Sequence, residues 1–150
     1  MTEADQILEA AETVLVIDWP TTDVPETFAR AGFSVFVKGG PGPDTYAAYE
    51  LPDGDQVGAK AGGLPAHADL VYAHRPIEEL PGIVALALEV GAKAVWIQSG
   101  LASDGTRDPK GCWMPIDRSR EARRVVEAAG LAYVERPYVA DAIRQVGLEK

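Results

Sequence analysis

The chain has 150 residues, 47% of them hydrophobic and 25% charged, the proportions of an ordinary globular domain with room for one core. Its formal net charge of −9, from 14 basic and 23 acidic residues, argues against a nucleic-acid partner, because a phosphate backbone needs a basic stripe. No apolar run is long enough for a bilayer, the acidic start Met1-Thr2-Glu3-Ala4-Asp5 does not resemble a signal peptide, and the lone Cys112 has no internal disulfide partner. We therefore expect no membrane partner and a cytoplasmic setting.

In chain order, Thr2 to Glu12 predicts a short helix, with Ala4, Ile7, Leu8 and Ala11 on one face and Thr2 as its cap. Thr13 to Ile17 is β-rich, apolar and too short for a helix, hence a buried strand. A helix over about Val24 to Ala31 follows, capped by Thr22 or Asp23, with Val24, Phe28 and Ala31 facing inward and Gly32 ending it. Phe33 to Val37 reads as the second strand. Between Lys38 and Ala68 the pattern is irregular: Tyr46 to Leu51 and Gln56 to Lys60, around Asp53-Gly54, suit a small hairpin or an extended excursion. Asp69 to Ala73 is the third strand, and Ile77 to Val90 a helix with Leu80, Ile83, Val84 and Ala87 on one face. Its Pro81 requires the helix proper to start nearby. Ala94 to Ile97 is the fourth strand, and Leu101 to Asp117 a long loop. Arg118 to Ala129 is helical, with Ala122, Val125, Val126 and Ala129 inward and its arginines outward. Leu131 to Val134 is the fifth strand, and a last helix runs over about Tyr138 to Val146.

Strands that alternate with helices, and that are too apolar to have a wet face, predict a single α/β domain over residues 1–150. Its architecture is a Rossmann-like doubly wound sheet of about five parallel strands, with helical ends at 1–12 and 137–150. Ligands bind such sheets outside the carboxyl ends of the strands, where the winding reverses. We expect that crevice between the ends of the first and fourth strands, near Trp19 to Thr22 and Gln98 to Leu101.

Three patches carry a resemblance that covers Thr13 to about Arg136. They are Gly32-Phe33-Ser34-Val35-Phe36-Val37, Ala73-His74-Arg75-Pro76 with the following Ile77-Glu78-Glu79-Leu80-Pro81-Gly82-Ile83-Val84, and Gly91-Ala92-Lys93-Ala94-Val95-Trp96-Ile97-Gln98-Ser99-Gly100. Together they resemble the small CoA-binding domain proteins, whose Rossmann-like fold also occurs in the α subunit of succinyl-CoA synthetase. The resemblance implies CoA as the ligand, its nucleotide lying over the ends of strands one to four. The chain departs from the family at two strand-end loops, and its loop Ser103 to Arg118 is longer than the family's usual connection. Asp18-Trp19-Pro20-Thr21-Thr22 stands where a longer Gly-x-Ser type loop is usual, and Lys38-Gly39-Gly40 stands where Asn-Pro is usual.

The candidate site residues follow the strand ends. Trp19, Thr21 and Thr22 would meet a diphosphate through hydroxyls and free helix N–H groups, or simply cap a helix. Lys38 and Gly39 would meet the ribose phosphate of CoA, or of NADP, against the alternative of a solvated lysine before a turn. His74, Arg75 and Pro76 would meet the adenosine end, unless Arg75 is taken up by an ion pair with Glu78 or Glu79. Gln98, Ser99 and Gly100 would line the exit towards the pantetheine arm, or form a plain turn. We expect no catalytic set and no metal site; Cys112 beside Arg107 and Lys110 reads more readily as an unreactive thiol than as a nucleophile based on His74. The function expected is binding of CoA, acyl-CoA or a related adenine nucleotide without evident catalysis. The alternatives are a nucleotide-free interaction or regulatory module, with a protein partner or homodimer open, and an enzyme dependent on Cys112.

Overall fold

Alternate residues of a strand face opposite layers, and in this chain both sets are apolar. Val14, Val16, Leu70, Tyr72 and Trp96 join one core cluster; Leu15, Ile17, Val71, Ala73 and Ile97 join the other. A sheet with two greasy faces needs a helical layer on each side, and that layering is what the computed structural model shows. It describes residues 2–17, 23–38, 46–53, 56–62, 64–75, 77–98, 116–135 and 138–147.

The helices are α1 (Glu3–Ala10), α2 (Asp23–Arg30), α3 (Leu80–Glu89), α4 (Ile116–Ala128) and α5 (Val139–Val146). The strands are β1 (Thr13–Ile17), β2 (Ser34–Lys38), β3 (Tyr46–Asp53), β4 (Gln56–Gly62), β5 (Leu70–Ala73), β6 (Ala94–Ile97) and β7 (Ala132–Val134). The sheet order is β4-β3-β2-β1-β5-β6-β7. Five strands, β2-β1-β5-β6-β7, run parallel, and β3 and β4 extend the β2 side antiparallel. Helices α1, α2 and α5 cover one face; α3 and α4 cover the other. The irregular stretch after the second strand is thus a hairpin added to the sheet, with a register shift between Glu50 and Asp53.

Local chemistry explains the boundaries. Thr2 and Asp5 form a reciprocal capping box at the start of α1, with bonds of 3.2 and 3.1 Å. Gly32 ends α2 at φ 93°, a backbone state that side chains other than glycine's rarely adopt. A short 3₁₀ turn (Ile77–Glu79) precedes α3, so Pro81 falls in the first helical turn, where its missing N–H costs little.

Two expectations are corrected. The winding reverses between β1 and β5, because β1 pairs directly with β5 and β5 separates it from β6. The topological switch point therefore falls between the first and third parallel strands, not the first and fourth, as in the other common doubly wound order. Val125 is 37% exposed rather than inward, and the position it was expected to share is filled by Ser119, buried with Ala122 and Val126 on α4.

Candidate functional site

The parallel strands end level. Ile17, the last residue of β1, pairs with Lys38 on one side and Ala73 on the other, and Ala73 pairs with Ile97. Pairing continues one residue further, from the His74 N–H to the Ile17 carbonyl (3.3 Å) and from the Gln98 N–H to the Ala73 carbonyl (2.9 Å). Register alone thus sets Lys38, His74 and Gln98 along one edge. Trp19, Thr21, Thr22, Gly39, Pro76, Ser99 and Gly100, together with Cys112, lie outside the described residues.

A cleft of about 370 Å³ opens at this edge, between the ends of β1 and β2 and the first turns of α3. Ile17, Ile83 and Leu86 give it an apolar floor, and Lys38, Glu79 and Gly82 stand on its lining. Among the described residues no carboxylate lies within ion-pair reach of Lys38. Two carboxylates, Glu78 and Glu79, share the lining with Lys38, each facing an arginine. Among the described residues Lys38 is thus the cation that the cleft presents beside its apolar floor, a combination that suits an anion attached to a flat or aliphatic group.

Arg75 is differently placed. Its Nε donates to Glu79 Oε2 at 2.8 Å, and its Nη2 donates to the same oxygen. Glu78 faces Arg118 at 3.5 Å, joining the start of α3 to α4. The ion pair weighed as an alternative for Arg75 is present, one turn from the strand end.

Gln98 is turned inward. It is 3% exposed, and its Oε1 accepts from the Tyr72 hydroxyl (2.8 Å) and from the Val139 N–H (3.1 Å). Strand alternation accounts for this: Gln98 follows Trp96 by two, so it continues the face on which α5 packs. Its carbonyl satisfies an N–H at the start of α5 that no helical carbonyl reaches.

Sequence reasoning missed a second buried polar group on the same edge. Glu135, just past β7, is 8% exposed. Ser119 Oγ lies 2.7 and 2.6 Å from its two carboxylate oxygens, and the Tyr133 hydroxyl donates to Oε2 at 3.0 Å. The signal was available: Ser119, Ala122 and Val126 share helical spacing, and Tyr133 and Glu135 share a strand face. These bonds tie α4 to the end of β7. Among the described residues no cluster of three or more metal-ligating side chains occurs.

Three comparisons bear on this arrangement. Residues 48–140 match a family model described as a CoA binding domain, a span that includes His74, Arg75 and Gln98. No curated protein matches the chain. Among solved structures, one similar chain is Prb, a PH1109 protein redesigned for binding, at 18% identity and a TM-score of 0.62, covering 100% of this chain and 95% of that one. Another is the structure of cell-free ID.343 from Thermus thermophilus, at 16% identity and a TM-score of 0.54, covering 97% and 99%. At these identities the two structures bear on the fold alone.

Proposed function

The chain belongs to the CoA binding domain family, and on that footing we propose that it binds CoA, an acyl-CoA or a related adenine nucleotide at the carboxyl edge of its parallel strands. The observation that carries the reading is the family match itself, which spans β5, the 3₁₀ turn, α3 and β6. The β1/β5 switch point, with Lys38 and His74 on either side of Ile17, supports the location. In this reading Lys38 and Gly39 meet the ribose phosphate, and His74, Arg75 and Pro76 the adenosine end. Trp19, Thr21 and Thr22 meet the diphosphate, and Ser99 and Gly100 flank the way out to the pantetheine arm. Gln98 acts from beneath, by holding α5 and the end of β6 together. The reading is of a binder without evident catalysis, and the lone cysteine of the sequence suits a reducing, cytoplasmic setting.

The test is isothermal titration with CoA, dephospho-CoA and NADP. CoA is expected to bind in the micromolar range and more tightly than dephospho-CoA. Lys38→Ala is expected to weaken CoA by about tenfold, the loss of one charge-assisted contact, and to leave dephospho-CoA nearly unchanged. Equal weakening of both would remove Lys38 from the ribose phosphate. Silence with all three nucleotides would overturn the reading.

A further inference from the structure

The ion pair at the switch point bears on how an anion gains access to Arg75. Arg75 follows β5 by two residues, and Glu79 closes the 3₁₀ turn that leads into α3. Glu79 stands at the N-cap position of α3, yet its side chain makes no capping bond. It is spent on Arg75 instead, through the Nε and Nη2 fork. Both side chains are part-exposed, 33% for Arg75 and 46% for Glu79.

That exposure matters. Breaking a buried pair strands a charge without water and is severely destabilising. A half-solvated pair can be exchanged at little cost, because the released carboxylate returns to water. Glu79 would also stay at the positive end of the α3 dipole, a favourable place for an anion. A phosphate oxygen pair offers the guanidinium a fork at least as good as a carboxylate's, with more negative charge.

We propose that Glu79 is a built-in counter-anion that holds Arg75 and yields it to a phosphate group of the incoming ligand. Glu79 thereby sets the affinity threshold of the site and favours phosphorylated ligands over simple carboxylates. The inference rests on the nucleotide reading above for the identity of the ligand, but not for the presence of an anion.

The experiment is a titration of the wild-type protein, Glu79→Gln, Arg75→Gln and the double variant, each with CoA and with inorganic pyrophosphate, at low and high salt. Glu78→Gln is the charge-matched control, and thermal unfolding checks that each variant is folded. Glu79→Gln is expected to tighten both ligands by about twofold to fivefold, the worth of a part-exposed pair. The gain should shrink at high salt and vanish in the Arg75→Gln background. A gain of the same size in Glu78→Gln, or one that survives without Arg75, would reduce the effect to net charge and overturn the proposal. Weaker binding by Glu79→Gln would also overturn it, making Glu79 a brace that presents Arg75. CoA binding indifferent to Glu79→Gln leaves the nucleotide reading standing and removes the counter-anion. Pyrophosphate binding that tightens in Glu79→Gln, with CoA silent throughout, keeps the counter-anion and removes CoA. Silence with both ligands in every variant removes both.

Discussion

Asp69 shows what one carboxylate can do for this fold at the edge opposite the cleft. Its Oδ2 accepts from the Glu12 and Thr13 N–H groups at 2.9 and 3.0 Å, and its Oδ1 lies 2.7 Å from His67 Nε2. Burial alone would raise its pKa, but the bonds from Thr13, Glu12 and His67 outweigh it and hold the carboxyl below the ordinary value of 3.8. A depressed folded pKa stabilises the protein above the unfolded value, and that contribution disappears as pH falls through the folded pKa. Asp69→Ala strips the acceptor from the N–H groups that start β1 and is expected to cost about 1–3 kcal/mol in urea unfolding near neutral pH. Asp69→Asn keeps an acceptor oxygen, so it should cost less while flattening the stability profile below about pH 4. An unchanged acid limb in Asp69→Asn would show that other carboxylates carry it.

At the scale of elements, α3 matters most to the cleft, because its first turn carries both the rim and an opening. Gly82 lines the cleft, and a Cβ built there meets no atom within 4 Å. Glycine inside a helix costs up to about 1 kcal/mol against alanine. Gly82→Ala is therefore expected to raise the unfolding free energy by up to about 1 kcal/mol. Gly82→Phe should keep the fold and weaken CoA severalfold by filling the cleft. Unaltered CoA affinity in Gly82→Phe, with the fold intact, would move the ligand away from α3. The helices and parallel strands were legible because their apolar spacing is local: Leu80, Ile83, Val84 and Ala87 are all buried on α3 as their spacing requires. Strand neighbours are not local, so the position of the switch point was not legible. Nor was the fate of Arg75, since a guanidinium forks onto either a carboxylate or a phosphate. The inward turn of Gln98 and the burial of Ser119 were legible in principle, but a polar side chain near a strand end invites a ligand explanation before a structural one.

Across the whole molecule, the two edges of the sheet divide the work. The amino edge is held by bonds that belong to the fold: Asp69 on Glu12 and Thr13 at the start of β1, and the Ala68 N–H on the Val90 carbonyl at 3.1 Å. The carboxyl edge, besides the buried Glu135, carries the Arg75–Glu79 pair half in water, where it can change partners. A ligand bound there must stabilise the folded state by mass action, by about 2.7 kcal/mol at a hundred times Kd. For a domain of this size that corresponds to a rise in Tm of roughly 5–10 °C. The stabilisation should also be polarised in local openings. Hydrogen exchange of the His74 amide, bonded to Ile17 across the switch point, is expected to slow more than global stabilisation requires. The Glu12 and Thr13 amides, bonded to Asp69, should slow only by the global amount. Extra protection at Glu12 and Thr13 instead, with His74 unaffected, would place the ligand at the amino edge, in the groove of about 370 Å³ between α1 and the starts of β6 and β7.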